Sequence, residues 1–141
     1  MPTLLVRHAA AGKRKAWVGD DRLRPLDEQG IRQAEGLVSA LAPYGVKRLY
    51  SSPYVRCRQT VEPLSAELGL PIEERDELSE GAGRTAALGL LTEAGETTAV
   101  FCTHGDIVQD VLGEESAKGS AWVLDISGPE LVRLDYVSPS A

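Results

Sequence analysis

Aromatic residues are scarce in this chain: one phenylalanine, two tryptophans and four tyrosines, 5% of 141 residues. A core must therefore be built from leucine, valine, alanine and isoleucine. Cysteine is scarcer still, with only Cys57 and Cys102 and no Cys-x-x-Cys pair. That excludes a disulfide scaffold and a thiolate zinc site, and a reducing compartment would keep both as thiols. Long apolar runs are missing too. None approaches the roughly eighteen residues of a membrane span, and the N-terminus enters a strand without a signal-peptide pattern. The expected location is the cytoplasm, with no membrane partner. A net charge of −6 lacks the clustered lysine and arginine that phosphate-backbone binding needs, so nucleic acid is not an expected partner.

What is present has the balance of one globular domain spanning residues 1–141, at 43% hydrophobic and 26% charged residues. The stretch Thr3-Leu4-Leu5-Val6-Arg7-His8-Ala9 is an apolar run that stops abruptly on an arginine and a histidine. Leu4, Leu5 and Val6 read as a strand buried on both faces, and open α/β sheets hold ligands just past the C-terminal ends of such strands. The chain has only two histidines, and the second, His104, directly follows another apolar run, Thr98-Ala99-Val100-Phe101-Cys102-Thr103. Two such strands side by side in a parallel sheet bring His8 and His104 to one crevice.

Between them, Ala9 to Pro25 reads as a polar surface loop, with Lys13, Arg14 and Lys15 as a solvated charge run or as cations near the strand end. Asp27 is a plausible N-cap for a helix whose Ile31, Ala34, Leu37, Val38 and Leu41 fall at helical spacing. A short strand follows around Arg48-Leu49-Tyr50, then a turn at Ser51-Ser52-Pro53 into a second helix burying Val55, Val61, Leu64 and Leu68. Pro63 predicts a bend in it. Arg56 and Arg58 lie on different faces there, so at most one points at the crevice. Pro71 to Glu74 reads as an extended edge, Asp76 to Gly83 as a glycine-rich loop able to present Glu80, and Thr85 to Ala94 as a helix. A short helix over Ile107 to Leu112, a polar loop from Glu114 to Gly119 and a hairpin of Ala121–Ile126 with Leu131–Tyr136 complete the chain.

Four blocks in this order carry a resemblance: Leu4-Leu5-Val6-Arg7-His8, then Ser51-Ser52-Pro53-Tyr54-Val55-Arg56-Cys57-Arg58-Gln59-Thr60, then Leu78-Ser79-Glu80, then Cys102-Thr103-His104-Gly105. The chain resembles the histidine phosphatase superfamily, the phosphoglycerate mutase-like fold. Its small size, Arg7-His8-Ala9-Ala10-Ala11-Gly12 and Arg24-Pro25-Leu26-Asp27 are most similar to the SixA-type phosphohistidine phosphatases. They also resemble the phosphatase domain found behind a Nudix domain in some fused proteins. The resemblance implies a three-layer α/β/α domain around a mostly parallel sheet, in a minimal version without a lid insertion.

It implies a mechanism as well. His8 would attack phosphorus and form a phosphohistidine intermediate that water then hydrolyses, with no metal or other cofactor. Arg7, Arg56 and a protonated His104 would neutralise the phosphoryl oxygens. Glu80, or Glu77 one turn away, would be the general acid and base. Ala9 departs from the glycine that commonly follows the nucleophile, and the polar phosphate contact of larger members has no clear match, Arg14 falling near it. The leading substrate is a phosphohistidine-bearing protein. The alternative is a small phosphorylated metabolite, a nucleotide or sugar phosphate, favoured if Lys13 to Lys15 and Lys118 line the pocket. A non-catalytic phosphate-binding domain is the reading of another class. A monomer is plausible.

Other phosphatase chemistries lack their residues. Position six after Cys57 is Pro63 and after Cys102 is Val108, where a cysteine phosphatase needs arginine, and no Asp-x-Asp, P-loop or GxGxxG occurs. Two histidines with separate tasks do not make a metal site.

Overall fold

The computed structural model describes residues 2–140. Six strands form one sheet in the order β3-β2-β4-β1-β5-β6. They are β1 (Thr3–Arg7), β2 (Arg48–Ser51), β3 (Ile72–Glu74), β4 (Ala99–Thr103), β5 (Ala121–Asp125) and β6 (Val132–Val137). Strands β1 to β4 are mutually parallel, whereas β5 runs antiparallel to both β1 and β6. The two apolar runs are neighbours: β1 pairs with β4 in a register that sets Arg7 opposite Thr103.

Strand residues alternate between faces, so each central strand feeds two cores. Leu4, Val6, Val100 and Cys102 pack with Leu37 and Leu41 of α1 (Glu28–Leu41) and Val61 and Leu64 of α2 (Val55–Leu68). Leu5, Phe101 and Tyr50 pack on the other side with Leu90 and Leu91 of α3 (Arg84–Glu93) and Ile107 and Val111 of α4 (Gly105–Leu112). The result is an α/β/α sandwich with the sheet between two aliphatic layers, as the shortage of aromatics requires.

Several expectations change in detail. The Asp27 cap holds, its Oδ1 accepting from the Gly30 amide at 2.8 Å. Ile31, expected on the buried face of α1, is half exposed. The helix instead buries Gly30, Gln33, Ala34, Leu37 and Leu41. Gly30 is there because any Cβ would stand 1.9 Å from the Ala10 carbonyl oxygen. The second helix starts at Val55, after Pro53 rather than on it, and continues to Leu68 with Pro63 inside it. Ala9 to Pro25 is not simply a surface loop: Ala9, Ala10, Ala11 and Arg24 are buried, and two short 3-10 turns, Arg14–Ala16 and Asp21–Leu23, cross it. No helix among the described residues is long and apolar enough to cross a membrane.

Candidate active site

The site lies at the C-terminal ends of β1 and β4. His8 follows β1 directly, and its amide donates to the Thr103 carbonyl at 2.9 Å. His104 follows β4 and caps α4, its ring centroid 5.5 Å from that of His8 in an edge-on arrangement. Both side chains are buried. Burial, with the charges of Arg56 and Arg7 nearby, lowers the His8 pKa to about 3. Burial, His8 and Arg56 lower that of His104 to about 2. Both rings are therefore neutral around pH 7, where the resemblance implied a protonated His104: burial first, then His8 and Arg56, disfavours its charge.

The neighbours of each ring set its tautomer. His8 Nδ1 lies 2.8 Å from the Ala9 carbonyl oxygen, which can only accept. Nδ1 therefore carries the proton and Nε2 keeps its lone pair. His104 Nε2 lies 2.9 Å from Ser52 Oγ, which already accepts from the Tyr54 amide at 3.2 Å. Cys57 Sγ lies 3.6 Å from the same Nε2; with the Ser52 hydroxyl donating to Nε2, His104 carries its N–H at Nδ1, 3.8 Å from a Glu80 carboxylate oxygen.

Arg56 comes from the first turn of α2 and is fully buried. Its Nη1 donates to the Asp21 backbone carbonyl at 2.8 Å, and Nη2 donates to Asp21 Oδ2 at 3.0 Å and Glu80 Oε2 at 3.1 Å. Arg58 turns away to an exposed pair with Glu74. Arg7 donates through Nη1 to the Ser116 carbonyl at 2.5 Å. Its guanidinium lies against Gly105, where a Cβ would come within 2.7 Å. Three buried nitrogens here have no hydrogen-bond partner: Arg7 Nε, Arg56 Nε and His104 Nδ1. A buried donor left unpaired is costly, so such a set fits an anion.

The two glutamates separate cleanly. Glu77 pairs with Arg75 at 2.6 Å, whereas Glu80 bridges Arg14 and Arg56. The loop carrying Glu80 is held by the Gly81 amide donating to Asp106 Oδ2 at 2.8 Å.

Sequence reasoning missed the scaffold around these groups. Thr60 donates to the Arg56 carbonyl at 2.7 Å and accepts from the Ala9 amide at 2.9 Å, joining α2 to the turn after His8. Gln33 accepts from the Ala10 amide at 2.9 Å. Asp21 gathers Arg14, Arg24 and Arg56. The Thr60 signal was inside a quoted motif. Asp21 and Gln33 lay in stretches with no pattern to mark them.

Above the histidines opens a cavity of about 760 Å³, a size ordinary for a small-molecule site. Its lining includes Lys13, Arg14, Lys15, Arg24 and Lys118, so the condition set for small phosphorylated substrates is met. Six basic and three acidic side chains line it, in a chain whose net charge is −6. Among the described residues no group of three or more histidines, cysteines or carboxylates is placed to hold a metal ion.

The family model of the histidine phosphatase superfamily, branch 1, matches residues 3–88. The chain belongs to that superfamily. By family it is a histidine-nucleophile phosphatase. A curated relative is the 8-oxo-(d)GTP phosphatase of Mycolicibacterium smegmatis, 40% identical over 96% of this chain. The chain spans about half of that relative, 48% of its length. The fold matches SixA from Agrobacterium tumefaciens at 24% identity, covering 98% of each chain with a TM-score of 0.78. It matches the protein histidine phosphatase SixA complexed with tungstate at 22% identity, covering 98% of this chain and 97% of that one, TM-score 0.76. The phosphoserine phosphatase of Entamoeba histolytica is as near in shape, TM-score 0.77 over 97% of this chain and 96% of that one, at 11% identity. In this histidine phosphatase, as in those, the shape alone does not select a substrate.

Proposed function

We propose that the chain hydrolyses a phosphoryl group from a nucleoside phosphate through His8. The observation that carries this is the fixed tautomer of His8: a neutral imidazole whose Nδ1 proton is engaged by the Ala9 carbonyl and whose Nε2 lone pair is free. Nε2 attacks phosphorus, an N–P bond forms, and the bond from phosphorus to the leaving oxygen breaks. Glu80, which takes up a proton as Arg56 leaves it for the incoming phosphoryl group, gives that oxygen the proton. Water then attacks the phosphohistidine, loses a proton to Glu80 and releases orthophosphate, which returns His8 to its starting state. Arg7, Arg56 and the N–H of His104 hold the equatorial oxygens, and Arg56 exchanges its contact with Glu80 for one with phosphate.

The nucleotide reading reverses the order of substrates expected from sequence. It is supported by the basic lining of the cavity and by the 40% identity to an 8-oxo-(d)GTP phosphatase. A phosphohistidine-bearing protein is the second reading, favoured by the likeness in fold to SixA over nearly the whole chain.

The test is phosphate release from a nucleotide panel and from a phosphohistidine-bearing phosphotransfer protein, by wild type and His8→Ala. Release from nucleotides that His8→Ala lowers by about 10⁴-fold or more is expected, with an acid-labile phosphoenzyme in wild type alone. Faster release from the protein substrate would overturn the nucleotide reading. Turnover retained in His8→Ala would overturn the nucleophile.

A further inference from the structure

We propose that the crevice holds a second anionic subsite, built by Lys118 with Lys13 and Lys15, which takes the phosphoryl group next to the one at His8. The preferred substrate is then a nucleoside diphosphate or longer rather than a simple monoester. This rests on His8 as the site of phosphoryl transfer.

The backbone that carries Lys118 is fixed beside the nucleophile. The amide of its neighbour Gly119 donates to the carbonyls of both Arg7 and His8, at 3.1 and 3.0 Å, and Arg7 in turn grips the Ser116 carbonyl. The 114–120 loop is therefore stapled to the end of β1, beside the nucleophile. At Gly119, φ is +81°, and a Cβ would press within 3.1 Å of Gln33, so this tight return suits glycine. Desolvation, then the charges of Arg7 and Arg24, lowers the Lys118 pKa.

Charge pairing separates these lysines from the other cations of the cavity. Arg14 and Arg24 are engaged by Glu80 and Asp21. Among the described residues, Lys13, Lys15 and Lys118 have no carboxylate partner, yet all three line the same cavity as His8 and His104. The unpaired buried donors on Arg7, Arg56 and His104 belong to the floor and serve one phosphoryl group. The lysines line the same cavity and have no ion-pair partner among the described residues. A second phosphoryl group supplies the missing charge, and lysine, a compact point charge, suits a bridging phosphate that changes its geometry during the reaction.

The chemistry stays balanced. His8 takes the terminal phosphoryl group, the bond from its phosphorus to the bridging oxygen breaks, and that oxygen leaves on the nucleoside monophosphate with a proton from Glu80. Water completes the cycle and orthophosphate departs.

The test compares GDP with p-nitrophenyl phosphate in wild type, Lys118→Ala and the double variant Lys13→Ala/Lys15→Ala. Calorimetry with methylenediphosphonate, which cannot be hydrolysed at its bridge, runs in parallel. In Lys118→Ala, the KM for GDP is expected to rise by about tenfold more than that for the monoester, because one charge-assisted contact is lost. Methylenediphosphonate binding should weaken by a similar factor. Lys118→Arg should restore part of both. Equal changes for GDP and the monoester, or no change in methylenediphosphonate affinity, would overturn the subsite. Absence of turnover on every substrate would sink the role of His8 instead, and the calorimetric comparison would still decide the subsite.

Discussion

The floor and the rim of the crevice are built on opposite terms. On the floor, His8, His104 and Arg56 are buried, hydrogen-bonded into fixed positions and surrounded by donors without acceptors. On the rim, Lys13, Lys15 and Lys118 are exposed side chains on loops. Floor groups are preorganised and act on charge as it develops in the reaction, so they govern rate. Rim groups meet whatever is attached to the phosphoryl group, so they govern choice.

The hardest way to break the floor is to remove its buried cation. Arg56→Ala should lower kcat/KM by about 10²- to 10³-fold, and Arg56→Lys should rescue little, since an ammonium cannot reach Asp21, Glu80 and phosphate together. Steady-state kinetics on the preferred nucleotide would show it, and a rim variant that lost as much kcat would erase the distinction between the two regions.

Acid should strain the floor and spare the rim. Both histidines have folded pKa values far below 6.5, so between pH 6.5 and about 3 the unfolded chain binds protons that the folded chain refuses. Stability is then fully present above pH 6.5 and is lost as pH falls, by about 2 kcal/mol per histidine at pH 5. Urea denaturation at pH 7.5 and 5.0 measures the change, and His8→Asn should remove about half of it. A stability that held level over that range would mean that the rings are already charged in the fold.

Gly105→Ala is a gentler intrusion. Its methyl must displace the Arg7 guanidinium, which costs about 1–3 kcal/mol when packing cannot relax. A lower Tm and a roughly tenfold fall in kcat/KM are expected, and an unchanged enzyme would show that Arg7 has room to move.

Ser52→Ala should do least, through its two hydrogen bonds, to His104 and from the Tyr54 amide, each worth about 1 kcal/mol. It frees the tautomer of His104, so kcat should fall by about three- to tenfold while KM stays close to wild type. Ser52→Thr, which keeps the hydroxyl, should restore most of it. A fall in Tm with kcat intact would mark Ser52 as a packing residue only.

The floor was legible in the sequence because its residues sit at the ends of apolar runs, and a buried parallel strand announces itself in its own residues. Helical spacing allows only one of Arg56 and Arg58 to turn inward, and the family resemblance points to Arg56. Other parts depend on partners distant in the chain. The different surroundings of Glu80 and Glu77 come from Arg75, which takes Glu77, and from Asp106, which holds the amide of Gly81. Arg24 looks like surface until its Nη1 is seen to donate to the Ala11 carbonyl at 2.7 Å. Ile31 misleads because the buried face of α1 begins at Gly30, packed on the Ala10 carbonyl, and continues with Gln33, which accepts from the Ala10 amide. Charge state was the least legible, since what keeps the two rings of this histidine phosphatase neutral far below pH 6.5 is packed around them from distant parts of the chain.

The pairing of β1 with β4 and β5 has a consequence for how the chain comes into being. Of the six strands, the first in chain order is an interior strand of the sheet, and both of its neighbours, β4 and β5, lie more than ninety residues further along. Such long-range pairings are slow to form, and until they do an apolar ribbon stands unprotected. His8 emerges before its partner ring and before the loop that brings Lys118, and waits for both until Ala99–Asp125 has emerged. Recovery of turnover after refolding should therefore lag behind helix formation and report closure of the sheet as a whole.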